Sequence, residues 1–250
     1  MPDDSAAPFR PETIGKLVGV IDLKSGQAVH AVAGKRDDYR PIAIARGEII
    51  DGDFVALASL YGRLGIRQLY LADLDGITSG KPQTDCVERL LSEIDWSPTA
   101  LFWDSGWRSG QALESIVTWT TQFACLIPII ATECVAGIGC LERFVSQISP
   151  SRICLSMDFR NGQFVSRSGN QADWLAACQR NSLGWILPLD VSTVGTGQSA
   201  RGVELCRGLK EVAKQSSTRI VSGGGVRSDE DVESYLTAGC DKVLVASALL

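Results

Sequence analysis

The sequence predicts an α/β protein, a (β/α)8 TIM barrel made of two duplicated (β/α)4 halves and lacking the last helix. Three observations lead there. Eight short apolar runs are interleaved with helix-length amphipathic stretches, one set of motifs occurs twice in the same order, and Asp, Gly or Ser follows most of the runs. A chain of 250 residues suits one such domain, and a composition 45% hydrophobic and 21% charged is ordinary for a globular core.

Taken in order, the runs at 17–23, 68–72, 100–103, 125–131, 152–157, 184–189, 219–221 and 242–246 are rich in Val, Ile and Leu. They do not alternate with polar residues, which marks strands covered on both faces of a parallel sheet. Segments 53–64, 85–94, 109–120, 139–148, 172–180, 202–214 and 229–238 supply the helices between them. Residues 1–14, acidic and proline-rich, read as a flexible extension of a single domain over 1–250, with half-barrels at about 15–148 and 149–250. No helix-length segment follows the eighth strand. Either the N-terminal segment covers that place or the sequence is shorter than a natural protein.

The repeat is specific. Asp22-Leu23-Lys24-Ser25-Gly26 returns as Asp158-Phe159-Arg160-Asn161-Gly162, and Gly106-Trp107-Arg108-Ser109 as Gly225-Val226-Arg227-Ser228. Asp73 precedes Gly80 by the spacing that separates Asp190 from Gly197, and Ile130-Ala131-Thr132 returns as Val245-Ala246-Ser247. A period this long is no solenoid repeat, so each half is a large piece of one fold.

Composition narrows the partners. Net charge is −5, the isoelectric point is near 5.0 and no run of like charges appears, which argues against a nucleic-acid footprint. A phosphorylated ligand would be held by local groups. Eight cysteines without a C-x-x-C pair, and a single histidine, His30, point to no metal site. The N-terminus has neither the basic start nor the apolar stretch of a signal peptide, and no apolar run is long enough to cross a membrane. The expectation is a cytoplasmic protein with no membrane partner, its oligomeric state open.

In such barrels the chemistry sits at the C-terminal ends of the strands. Asp22, Asp73, Asp104, Asp158 and Asp190 end strands 1, 2, 3, 5 and 6. Asp22 and Asp158 should face one another across the mouth, and two carboxylates in one pocket suit general acid–base work. The competing reading of any one aspartate is a turn cap or an ion pair. Ser222-Gly223-Gly224-Gly225-Val226-Arg227-Ser228 follows strand 7 and opens a helix, where close backbone N–H groups and the helix terminus favour an anion. Gly223, Gly224, Gly225 and Ser247 are the expected phosphate ligands. The corresponding first-half residues, Gly106, Arg108 and Thr132, are expected phosphate ligands too, but stand beside Asp104 and Glu133, which would repel a phosphate unless Arg108 or another cation compensates. That end is a weakened phosphate site or one adapted to a hydroxyl-rich or cationic group. Asp190 joins Asp22 and Asp158 as a catalytic candidate, and Asp73, Lys24, Gly195 and Thr196 are expected substrate contacts. His30 reads as structural, 36–40 as either a lid or a solvated loop, and Trp103 and Trp107 as flanking the strand-3 site, where they could stack on a ligand or pack in the core.

The segments Val20-Ile21-Asp22-Leu23-Lys24-Ser25-Gly26, Ala72-Asp73-Leu74-Asp75-Gly76, Ser156-Met157-Asp158 and Ser222-Gly223-Gly224-Gly225-Val226-Arg227 resemble the histidine-biosynthesis barrels. That family holds ProFAR isomerase and its cyclase relative, and the likeness, over 17–248, is greater to the isomerase. The resemblance implies a substrate with a phosphate at each end, an Amadori rearrangement of an aminoaldose to an aminoketose, no metal or organic cofactor, and Asp22 as the base at C2. Two positions depart from the family pattern. The acid directly before Gly195-Thr196 is Val194, and the threonine before Asp190 is Leu189. Asp190 or Asp158 would then have to supply the acid. A relative acting on another phosphorylated, sugar-derived metabolite competes with this reading. It would be similar to the family members linked to methanopterin-dependent one-carbon metabolism. A phosphosugar-binding protein without catalysis is the third reading.

Overall fold

Parallel pairing runs unbroken around eight strands and closes on itself. The computed structural model describes residues 8–32, 34–108 and 111–250. The barrel strands are β1 (Leu17–Lys24), β2 (Gln68–Asp73), β3 (Ala100–Asp104), β4 (Leu126–Ala131), β5 (Cys154–Arg160), β6 (Trp185–Asp190), β7 (Arg219–Gly223) and β8 (Lys242–Val245). Closure places Leu17, Val18 and Gly19 of β1 beside Val243, Leu244 and Val245 of β8. The helices between successive strands are α1 (Phe54–Arg63), α2 (Thr84–Glu93), α3 (Gln111–Gln122), α4 (Ile138–Val145), α5 (Gln171–Arg180), α6 (Ala200–Ser216) and α7 (Asp229–Thr237). Each strand and helix expected from the sequence is found within a few residues of its place. Ser109, part of the first repeated motif, lies outside the described residues.

Two apolar layers build the structure. Within the barrel, Val18, Tyr70, Phe102, Ile129, Cys154, Leu187, Val221 and Leu244 form one buried cluster. Between strands and helices a larger cluster contains Leu101, Trp103, Leu155, Ile220 and Val243 with helix residues such as Leu57, Ile116, Trp174 and Tyr235. Neighbouring strand residues therefore serve opposite faces, as the period of two requires. Trp103 and Trp107 belong to the outer layer, edge to face at 4.9 Å between ring centroids. They stack on each other, and a ligand at the mouth cannot reach them. All eight cysteines are free, six of them buried.

Three features were not foreseen. After β1 the chain turns at Ser25 and Gly26 into a returning strand, Gln27–His30, and after β5 it turns at Asn161 and Gly162 into Gln163–Val165. All four turn residues have positive φ, 51° and 75° in the first pair and 52° and 77° in the second. That is the mirror-image turn whose twist matches a hairpin. A short helix, Leu74–Ser79, follows β2 directly. The segment from Phe9 is packed, a correction to the extension expected through residue 14. Phe9 is buried, Pro11–Ile14 is a helical turn, Thr13 donates to Asp229 and Arg10 pairs with Glu233, both on α7. Lys242 at the start of β8 donates to the Gly15 carbonyl. This N-terminal turn thus lies beside the last helix and strand, and one 3-10 turn, Ser247–Leu249, follows β8. Among the described residues no helix is long and apolar enough to cross a membrane.

Candidate active site

Asp22 and Asp158 occupy the same position in two hairpins four strands apart. Asp22 lies between Ala72 of β2 and Val29 of the returning strand, and Asp158 between Leu189 of β6 and Val165 of its own. Both line a cavity of about 380 Å³ at the C-terminal mouth of the barrel. That volume suits a small metabolite.

Two other aspartates are spent on holding those hairpins. Asp190, fully buried, accepts from Gly162 N at 2.7 Å, Ser192 N at 3.0 Å and Ser192 Oγ at 2.5 Å, with Arg201 Nη1 at 3.4 Å. Burial pushes its pKa up, but the Ser192 and Gly162 hydrogen bonds and the Arg201 charge outweigh that and leave it lowered. Asp73, also fully buried, accepts from Gly76 N at 2.9 Å, Gln83 N at 2.6 Å and Gln83 Nε2 at 2.9 Å. The Gln83 side-chain oxygen, Oε1, in turn accepts from Gly26 N at 2.6 Å. Neither aspartate is part of the cavity wall. The expectations of Asp190 as a catalytic group and Asp73 as a substrate ligand are corrected on this point: each fixes a hairpin turn beside a cavity aspartate. Lys24 lies opposite Gln27 beyond Asp22 and is also outside the lining.

One wall of the cavity is acidic. Asp104 ends β3, Glu133 follows β4 and Asp158 lies in β5, and all three line the same space. Asp104 accepts from the Tyr70 hydroxyl at 3.3 Å, deep in the barrel. Asp158 is 6% exposed. One of its oxygens accepts from Ser156 Oγ at 3.0 Å, and the other, Oδ2, is buried with no hydrogen-bond partner. Burial, then the negative charges of Glu133 and Asp104, hold the Asp158 carboxyl well above the usual carboxylate range, against hydrogen bonds from Ser156 and the Glu133 backbone. Burial and the charges of Asp104, Asp158 and Asp22 push the Tyr70 phenol up in the same way.

The opposite wall is made of loop backbone. Gly195, Thr196 and Gly197 after β6, Gly224, Gly225, Val226 and Arg227 after β7, and Ala246 and Ser247 after β8 line it. Gly225, at φ 71°, packs so closely on the Gln198 backbone that any side chain would collide with it. Tyr235 of α7 donates to the Gly224 carbonyl at 3.0 Å from outside the barrel. A trans peptide points its N–H opposite to its C=O, so the Gly225 amide faces the cavity. Ser247 Oγ lies 3.0 Å from His30 Nε2. His30, read as structural, thus borders this wall. Gly223 ends β7 against Leu244 and supports the loop without lining the cavity.

The first-half residues expected to bind phosphate are turned to other partners. The Gly106 amide donates to Asp104 Oδ1 at 3.1 Å. Arg108 donates to the carbonyls of Ile77 at 2.7 Å and Thr78 at 3.1 Å, and Thr132 Oγ1 to the Val165 carbonyl at 2.8 Å. None of the three lines the cavity, so Gly106, Arg108 and Thr132 hold loops together. Tyr39, buried at the end of the 36–40 loop, does line it, with Leu189 and Val194 completing an apolar side. Tyr70 was missed in the sequence. The signal was its spacing of two from Ala72 in β2, which places both on the inner face.

Comparison with known proteins finds relatives over nearly the whole chain. The family described as Histidine biosynthesis protein matches residues 16–250. An uncharacterized protein of Methanocaldococcus jannaschii is 31% identical over 94% of this chain and 92% of its own length. The 1-(5-phosphoribosyl)-5-((5-phosphoribosylamino)methylideneamino) imidazole-4-carboxamide isomerase of Halorhodospira halophila is 27% identical over 87% of this chain and 84% of its own. That of Thermus thermophilus is 26% identical, over 94% of both. A closed barrel with paired aspartates at its mouth and a match over nearly the whole chain lead to one assignment: the chain belongs to the histidine biosynthesis protein family.

Proposed function

We propose that the chain is an acid–base isomerase of a phosphosugar, converting an aminoaldose of the phosphoribosyl type to the aminoketose by an Amadori rearrangement. The observation that carries this reading is the pair of aspartates in one cavity, of which Asp158 stands where burial and two like charges retain its proton. The substrate phosphate lies against the Gly225 amide, the Gly195–Gly197 loop, Arg227 and Ser247. Asp158 gives its proton to the ring oxygen as the C1–O bond breaks and the nitrogen lone pair forms the C=N bond. Asp22 then takes the proton from C2, and the electron pair returns to nitrogen. The resulting enolamine becomes the ketone by moving the hydroxyl proton to C1. Nothing is oxidised or reduced overall, and no cofactor enters this balance. Asp158 takes the part that Val194 cannot, since Asp190 is committed to Gly162 and Ser192.

The relatives named as isomerases support the reaction class, and the substrate in their name, ProFAR, is one candidate. Asp104 and Glu133, at the end where a second phosphate would bind, favour a different phosphorylated aminosugar. The experiment is deuterium exchange at C2 in heavy water, with rescue of a histidine auxotroph in parallel. Rescue abolished by Asp22→Asn identifies ProFAR as a substrate. Exchange without rescue identifies an isomerase of another phosphosugar. Failure of every aminoaldose phosphate tested to exchange would sink the reading and leave a binding protein.

A further inference from the structure

We propose that the acidic wall receives a cationic nitrogen, so that the substrate is a monophosphate with an ammonium-type group at its far end. This rests on the cavity being the active site of a phosphosugar isomerase and names the substrate class within it. The wall offers the carboxylates of Asp104 and Glu133 beside the carboxyl group of Asp158, on three successive units of the barrel. The one cation among the described lining residues, Arg227, belongs to the loop after β7, across the mouth.

The first-half donors expected to hold an anion at the acidic end are turned to other partners. Gly106 N is bonded to Asp104, Thr132 N to the Ser156 carbonyl and its hydroxyl to Val165, and the Arg108 guanidinium to Ile77 and Thr78. A phosphate there would meet like charge.

Asp158 Oδ2 gives the independent indication. It is a buried polar atom of a residue in the cavity wall, without a hydrogen-bond partner, and such an atom left unbonded is costly until a ligand pairs with it. An ammonium carries several N–H donors and the charge that the Asp104 and Glu133 carboxylates attract. A metal ion fits less well. No group of three or more His, Cys, Asp or Glu among the described residues is arranged to hold one. Carboxylates spread along a wall suit a nitrogen with divergent donors. A ligand's positive charge at this wall would also ease the proton off Asp158 as the substrate binds.

Calorimetric titration of the full chain with matched probes tests this. Aminoalkyl phosphates of three to six carbons are compared with alkyl phosphates of equal length and with alkane bisphosphates. At least one aminoalkyl phosphate should bind about tenfold or more tightly than its alkyl partner, as expected for a charge-assisted contact. The bisphosphate should gain nothing over the alkyl phosphate. E133Q and D104N should each reduce the amino preference and leave binding of inorganic phosphate unchanged, which also reports that the variants are folded. A bisphosphate that binds more tightly than the alkyl phosphate overturns the proposal. So does an amino preference that is absent or survives both substitutions, or failure of every probe to bind. The two readings fail separately. A chain that isomerises only a doubly phosphorylated sugar refutes the cationic end and keeps the isomerase. One that shows the amino preference but exchanges no C2 proton does the reverse.

Discussion

The loops after β3 and after β7 occupy corresponding places, yet their glycine amides point to opposite chemistry. In the second, Tyr235 holds the Gly224 carbonyl from behind and so turns the Gly225 amide toward the cavity. In the first, the Gly106 amide is bonded to Asp104, and an acidic side chain stands where the other loop offers donors. The backbone course is similar, with φ of 63° at Gly106 and 71° at Gly225. Which groups a loop shows to a ligand is thus decided by one or two neighbouring side chains, not by its backbone trace.

The two halves can be tested pair by pair. Asp22→Asn should lower turnover by roughly 10²–10⁴-fold, with inorganic phosphate binding preserved. A loss smaller than about tenfold would remove Asp22 as the base. Asp190→Asn and Asp73→Asn should each lower unfolding stability by about 1.5–3 kcal/mol, the worth of hydrogen bonds to a charged acceptor, as measured by urea titration. If either variant keeps full stability, that aspartate does not fix its hairpin. Gly225→Ala, whose Cβ would collide with the Gln198 backbone, should lower the melting temperature and also weaken phosphate binding about tenfold, through displacement of one charge-assisted amide contact. Gly106→Ala, whose Cβ would collide with the Ile77 backbone, should lower the melting temperature and leave phosphate affinity alone. Equal loss of affinity in both would restore a second phosphate site.

The smallest effect is one of pH. Asp158 has its folded pKa raised, so the stability it contributes is complete below the ordinary carboxylate value and is lost as pH rises through the folded value. Asp190 has its pKa lowered, so its contribution is present above the ordinary value and lost as pH falls. Asp158→Asn should therefore gain stability relative to the parent chain as pH rises from the acid range to neutrality, and Asp190→Asn should lose it. Melting curves across that range check both signs, and parallel curves for Asp158→Asn and the parent would show an ordinary carboxyl.

The barrel strands were legible because each is an unbroken Val, Ile and Leu run, a pattern that parallel pairing imposes on both faces. Asp22 and Asp158 were legible as cavity candidates through the repeated Asp-x-basic-x-Gly segment. Asp190 and Asp73 carry the same strand-end signature and were misread. Whether a carboxylate faces a ligand or a turn amide depends on partners such as Gly162, Ser192 and Gln83, which only the fold brings near. Gly106 and Thr132 were misjudged for the same reason, although Asp104 and Glu133 had already marked that end as hostile to an anion. The hairpin turns were written plainly as Ser25-Gly26 and Asn161-Gly162. They were missed because a returning strand of three or four residues is too short to show periodicity.

The separation of turn-fixing aspartates from cavity-lining ones has an evolutionary consequence. Asp73 and Asp190 maintain the hairpins from within the protein, outside the cavity lining. Residues 104, 133, 189 and 194 can therefore be exchanged without loosening the hairpins that carry Asp22 and Asp158. A barrel organised this way can change the lining of its cavity through a handful of substitutions while the placement of Asp22 and Asp158 is inherited intact.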